Sequence, residues 1–474
     1  MRIALVNPLA RRMQGYHTIG SNIPPLGLQV LTRLTPPAHR VDIIDEVFGV
    51  DQTEHLLRQG RYDLVGITSY TSTAPRAYEL AAICRRHGAR CIMGGPHASA
   101  RPEEAAQFFD SVAIGECDEL WAEIVADAAA GRLRARYDGR LTDLAKGFGR
   151  AEQSAGAING RYDVSCIQTS RGCPCGCDFC GVTLFNGATI RRRPIAEIVD
   201  EWNSTNRKFL FVVDDNFFGV GPQDVQWASQ CLDQIIRLGK KRLWFTQTTI
   251  NAGSDIQSLR LAYKAGCRGM FIGFETFNPA GLKSYHKGIN GKLVGRYGEL
   301  VAGFHKAGIS VFGSFVAGGE EDTASTVADT ALQAVGIGID IIQITNLTPL
   351  PGTRIYQRWL DSGRLLATAY PGDWERYTFT ETVFTPAKMT PRELDEAMYE
   401  LRLAAAEEHW VWKRTLKSLW RTRSLSSALF VHGMNKGWQR LARAQAPRDA
   451  ERFGFRSAEN DRMAKLRLAF AFHP

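Results

Sequence analysis

The chain has 474 residues, 44% of them hydrophobic and 23% charged, with a formal net charge of +9. That length suffices for two to four domains with their own cores, and the balance excludes a disordered, collagenous or low-complexity chain. No apolar run approaches the roughly 18–20 residues that span a bilayer, and the apolar stretch in residues 1–12 is too short for a signal peptide. A cytoplasmic location is therefore expected.

The first 145 residues alternate strand and helix patterns. Apolar runs at 2–8, 41–46, 64–70, 91–95 and 111–116 read as five strands. Ala77, Leu80 and Cys84 share a helical face that Gly88 ends. Strands separated by helices imply a parallel, doubly wound (Rossmann-like) sheet, with ligands held beyond the strand C-termini. The loops there are Gly/Ser/Thr-rich: SYTST (69–73), GGPH (94–97) and Gly115-Glu116. Residues 146–163, rich in Gly and Ala, read as a linker.

A second alternating series follows, with strand patterns near 164–169, 209–213, 242–246, 269–273, 310–316 and 340–344. Helical segments such as 194–202 and 322–335 separate them. Six such units over 164–365 predict a partial (β/α)6 barrel whose site lies at the strand C-termini. Residues 366–474 read as mainly helical. Within them, 410–445 hold eight Lys/Arg, four Trp and no Asp or Glu.

Half of the ten cysteines lie between Cys166 and Cys180. A disulfide framework would spread them through a small secreted domain, so clustering points to metal. Cys173, Cys177 and Cys180 give the spacing CxxxCxxC just after a strand pattern. Three thiolates on one loop hold three irons of a [4Fe–4S] cube and leave the fourth open to a non-protein ligand. The competing reading is a zinc knot, which needs a fourth protein ligand from Cys175 or Cys166. Cys175 falls outside the triad spacing and reads as a bystander.

This loop, with Phe179 before its last Cys, resembles the radical S-adenosylmethionine (SAM) superfamily, which implies that SAM chelates the open iron. Asp214-Asp215-Asn216 ends the second strand, where that superfamily usually carries a Gly-Gly-Glu-like motif. The departure resembles its cobalamin-binding branch, and a helix cap is the alternative. Residues 269–276 (GMFIGFET) resemble the family's GxIxGxxE stretch. The resemblance implies glycines that admit the adenine and a polar anchor at Glu275. Thr246 and Gln247 end the strand before it, where the ribose or the methionyl carboxylate is expected. Residues 318–320 and 346–352 resemble distal contacts, or are turns.

Ahead of such a barrel, the N-terminal unit, with PPLGL at 24–28, resembles a B12-binding domain. The DxHxxG motif is absent, so cobalt would lack a histidine ligand from the chain. The cobalamin tail is expected past Ser69, Thr71, Ser72, Gly94, Gly95 and Gly115. A cover domain without ligand is the alternative. His97 reads as a capped turn or a polar contact in preference to a cobalt ligand.

The whole resembles the cobalamin-dependent radical SAM enzymes, in the hopanoid C-methylase-like branch. The resemblance implies a methyltransferase: SAM is cleaved to a 5′-deoxyadenosyl radical, an unactivated carbon loses hydrogen, and methylcobalamin supplies the methyl group. It also implies a small-molecule substrate, with a lipid or isoprenoid favoured by the tail, and an electron donor such as flavodoxin or ferredoxin. No general base is assigned. The alternatives are ring formation without methyl transfer and, least favoured, a B12- or cluster-binding sensor.

In the tail, Trp412, Leu416 and Leu419 share a helical face, while Lys413, Lys417 and Arg421 recur every four residues. Two readings stand, a membrane-associated interfacial helix and a packed helix with a solvated polar face. No nucleic-acid motif accompanies the basic charge.

Overall fold

The computed structural model describes residues 1–10, 23–59, 62–148, 162–405 and 407–455. Most of the expected linker falls outside them. Strands β1 (Arg2–Asn7), β2 (Arg40–Asp45), β3 (Leu64–Thr68), β4 (Arg90–Gly94), β5 (Ser111–Ile114) and β6 (Arg136–Asp138) form one parallel sheet, ordered 2-1-3-4-5-6. Both faces of this sheet are covered, so β1 is a run of fully buried residues from Ile3 to Val6 and not an alternating pattern. The order reverses between β1 and β3, which opens a crevice beyond their C-terminal ends. The sixth strand was not expected. Its sequence, RYD, contains only one apolar residue, and pairing with β5 defines it.

The second sheet is also parallel. The chain enters through β7 (Ser165–Ile167), then makes a short antiparallel ribbon, β8 (Ser170–Arg171) with β9 (Arg191–Arg192), around the cysteine loop. It continues through β10 (Phe209–Val212), β11 (Leu243–Thr248), β12 (Cys267–Glu275), β13 (Ser310–Ala317) and β14 (Ile341–Asn346). The order 14-13-12-11-10-7 leaves β7 and β14 as edges, so six strands curve without closing. Their outer face packs on helices such as Ile195–Ser204, Pro222–Leu238 and Tyr297–Lys306, around Trp202, Trp244, Phe274 and Phe304. The expected α/β architecture is present, two parallel sheets followed by helices.

The tail becomes helical only at Pro391. Before it, residues 366–390 run back to the first sheet. There the buried Trp374 donates its indole N–H to Glu104 at 2.9 Å and stacks on Tyr370 at 3.7 Å. Pro371, Pro386 and the β-branched residues of TFTETVFTP explain why this stretch is not α-helix. Helix Leu425–Phe453 then packs against the concave face of the barrel near the strand N-termini. Phe430 lies 5.9 Å from Phe209 and 5.7 Å from Phe245, and Val431 joins Phe312 and Ile341. A Cβ on Gly269 would come within 2.1 Å of the Phe430 ring. Gly269 therefore makes room for this helix and does not face an adenine. Among the described residues no helix is long and apolar enough to cross a membrane.

The two sheets meet at their C-terminal ends through ion pairs. Arg171 binds Asp118 with two hydrogen bonds of 2.9 Å and lies 3.1 Å from Glu116; Arg191 also pairs with Glu116. Arg171 stacks over Phe148, which removes the group further from water. Truncating one partner of a buried cluster strands the other charges. Arg171→Ala should lower stability by about 3–5 kcal/mol in urea unfolding.

Candidate functional site

A cavity of about 790 Å³ occupies the junction. One wall is the crevice of the first sheet: Asn7, Gly66, Thr68, Tyr70, Gly94, Gly95, Ala113 and Gly115. The other belongs to the barrel mouth: Gln168, Gly181, Phe185, Asn186, Phe211 and Asp215. Small residues, Gly94, Gly95, Ala113 and Gly115, lie where the first sheet faces this space. A Cβ on Gly94 would meet nothing nearer than Ala113 at 4.0 Å. Such a hollow at a switch point admits an extended ligand chain between the strand ends, so the residues present fit a cobalamin.

Gly94, Gly95 and Gly115 line this cavity. Ser69, Thr71 and Ser72 do not; they are buried beneath it. The Ser69 hydroxyl donates to the Tyr70 carbonyl at 2.7 Å and lies 3.2 Å from Thr73 Oγ1, which holds the tight turn after β3. That turn pushes out Tyr70, with 63% of its surface accessible, into the cavity. A helical-period pattern does not reveal which residue of a turn protrudes. His97 is fully buried, with its Nε2 3.2 Å from the Tyr78 hydroxyl and 3.4 Å from Glu104, and its ring faces Trp374. It is a packing residue and does not reach the cavity.

The cysteine loop borders the same space, since Arg171 before it and Gly181 directly after Cys180 both line the cavity. Burial pushes the Cys177 thiol up to about 12 and raises Cys180 as well. Contact with Cys175 and burial raise Cys173, while the same contact lowers Cys175. Without a cation Cys173, Cys177 and Cys180 are held neutral, and a coordinated metal would convert them to thiolates. Among the described residues no group of three or more His, Cys, Asp or Glu is already arranged to hold a metal ion, so it is the spacing of the cysteines that supplies the donor set. Three thiols on one loop are the donor set of a cube with an open iron.

Carboxylates pin this loop. Asp214 accepts from the Thr169 backbone N–H at 2.7 Å, the Ser170 hydroxyl at 2.8 Å and the Thr169 hydroxyl. Complete burial nevertheless lifts its carboxyl to about 6. Asp215 accepts from the Gly172 N–H at 2.8 Å and from the Asn186 amide, so it grips both ends of the loop while lining the cavity. Within the loop, the buried Asp178 meets His286 at 2.9 Å, Arg354 at 2.8 Å and Arg358 at 3.1 Å. The charged residue inside CDFC was the available signal for this brace.

Gln247 lies on the concave face, its amide 3.3 Å from the Asp214 carbonyl. Thr246 points the other way. It is fully buried on the face of Trp244 and donates to the Val212 carbonyl at 2.9 Å, because strand alternation sends neighbours to opposite sides. Glu275 sits at a strand bulge with φ of 67°, in the left-handed region, and pairs with Lys287 over Gly273. Burial works against the Lys287 ammonium, but Glu275 and Cys177 outweigh it and keep the amine protonated. Nothing in the sequence marked Lys287, which lies beyond the turn after β12.

Two substitution sets separate the parts of this site. Cys173→Ala, Cys177→Ala and Cys180→Ala should each lower bound iron after anaerobic reconstitution by about tenfold or more, while Cys175→Ala retains it. Gly94→Leu, placed in open space, should lower bound cobalt by a similar factor and leave iron and circular dichroism unchanged.

Comparison with known proteins agrees with this arrangement. The B12 binding domain family matches residues 16–125. The chain is 30% identical over 433 residues to a bacteriochlorophyllide d C-8(2)-methyltransferase of Chlorobaculum tepidum, covering 85% of this chain and 90% of that protein. It is 25% identical to a hopanoid C-2 methylase of Rhodopseudomonas palustris, covering 73% and 66%. Its fold matches the radical SAM methyltransferase TsrM of Kitasatospora setae, solved with cobalamin and a [4Fe–4S] cluster, with a TM-score of 0.63 at 19% identity over 78% and 79% of the two chains. The chain belongs to the cobalamin-dependent radical SAM enzymes.

Proposed function

We propose that this protein methylates an unactivated carbon of a large, mostly apolar ring system of the porphyrinoid or polycyclic lipid kind. The observation that carries this reading is the shared cavity. One continuous space is walled on one side by the glycine-lined crevice and on the other by residues that flank the cysteine loop, Gln168, Arg171, Gly181 and Asn186, with Asp215. When bound, the cluster, SAM and cobalamin supply one-electron cleavage of SAM and a transferable methyl group. Cys173, Cys177 and Cys180 hold the cluster. Asp215, Gln247 and the Glu275–Lys287 pair orient the polar parts of SAM around it, and Asp214 acts behind them by fixing the loop.

The chain contributes position and exclusion of water more than proton transfer. Helix Leu425–Phe453 stops the barrel at its N-terminal end, and the first sheet faces the mouth, so substrate and cofactors would be held between the two sheets. The relatives named above act on bacteriochlorophyllides and hopanoids, which are large ring systems with few charges. We infer further that a small one-electron protein donor reduces the cluster and that the enzyme works at a membrane, where such substrates partition.

The test is anaerobic turnover of reconstituted enzyme with a reductant, methyl-deuterated SAM and panels of porphyrinoids and triterpenoids. The expected result is 5′-deoxyadenosine together with a product that carries one labelled methyl group. A product that gains no carbon would replace this reading with ring formation, and absence of SAM cleavage would remove both.

A further inference from the structure

The basic, Trp-rich tail is the one motif that the site does not absorb. Helix Glu408–Thr422 packs through Trp410, Val411, Ser418 and Thr422, which are buried. Its opposite side is not the solvated polar face of an ordinary surface helix. Trp412 (55% accessible), Leu416 (63%), Leu419 and Trp420 (79%) stand exposed on it. At 100° per residue they fall in an arc of about 100°. The next helix extends the patch with Leu425 (65%) and Leu429 (59%). Exposed apolar side chains gathered on one helix face and the start of the next mark an interaction surface.

Charge identifies the partner. Lys413, Lys417 and Arg421 run alongside the apolar arc, and with Arg414 they line one recess in which Asp340 is the single carboxylate. Arg414 and Arg421 donate to the carbonyls of Asp340 and Gly338, which ties the cationic side of the helix to the barrel. Burial and the neighbouring charges of Lys413, Arg421 and Arg414 depress the Lys417 ammonium, as expected where cations crowd. Residues 410–445 contain no Asp or Glu.

We propose that the corner formed by helices Glu408–Thr422 and Leu425–Phe453 docks on an anionic lipid bilayer, with Trp412, Leu416, Trp420, Leu425 and Leu429 entering the headgroup region. Interfacial tryptophans, an apolar stripe and a flanking cationic stripe match the chemistry of such a surface. The inference specifies the surface used in the membrane reading above and does not depend on methyl transfer.

Flotation of the full chain with phosphatidylcholine vesicles, with and without phosphatidylglycerol, tests it. The wild type is expected to float only with the anionic vesicles and to be released as salt rises. Leu416→Gln with Trp420→Gln should lower the bound fraction by about tenfold or more. Leu238→Gln, equally exposed on a distant helix, should bind like the wild type. If the wild type floats and the double variant floats equally, the membrane reading survives and this corner is overturned. If the wild type does not float, both fall. A dimer that the double variant turns into a monomer, without vesicle binding, would assign the patch to a second copy of the chain and overturn the proposal.

Discussion

The site depends on holding two parallel sheets mouth to mouth. Each sheet alone offers only a set of strand C-termini, open to water. The ion-pair cluster of Arg171 and Arg191 with Glu116 and Asp118 joins them beside the cysteine loop. Its arginines flank that loop in sequence, on β8 and β9, and its carboxylates follow β5 directly. Interdomain geometry and loop geometry are therefore set by the same residues. A shift of the first sheet would be felt at Cys173 through two residues of chain.

The remaining architecture solves problems that an incomplete barrel creates. Six strands leave two edges and an open concave face, and unpaired edges and apolar hollows are both costly in water. The C-terminal helices cover β14, and Phe430 and Val431 fill the narrow end against Phe209, Phe245 and Phe312. The end that carries the cysteines stays open. Carboxylates then replace flexible loop contacts there. Asp214 is kept in a wholly buried place by three donors, Asp215 ties the two ends of the loop together, and Asp178 ties its middle to helix Arg354–Asp361. These groups act on the reaction through the position of the thiols.

Much of this was legible in the chain because parallel strands buried on both faces are short apolar runs, and eleven of the twelve strands of the two large sheets announced themselves that way. The exception, Arg136–Asp138, has no apolar run to read. Site residues were less legible, for a reason visible in Thr246 and Gln247. A motif position tells which strand end a residue occupies, but one residue of register decides whether it faces the hollow or the helices. The same limit placed Ser69, Thr71 and Ser72 under the cavity and Tyr70 in it.

Local spacing determined what depends on local chemistry: the three-thiol loop, the α/β alternation, the glycines at strand ends and the basic amphipathic helix. These follow from side-chain type and period alone. Tertiary structure decided what depends on distant partners. It turned Gly269 into a seat for Phe430, brought Lys287 to Glu275, kept His97 with Tyr78 and Glu104, and left the apolar side of helix Glu408–Thr422 outward. Each of those outcomes is a contact between residues from separate elements, and sequence periodicity carries no term for which elements meet.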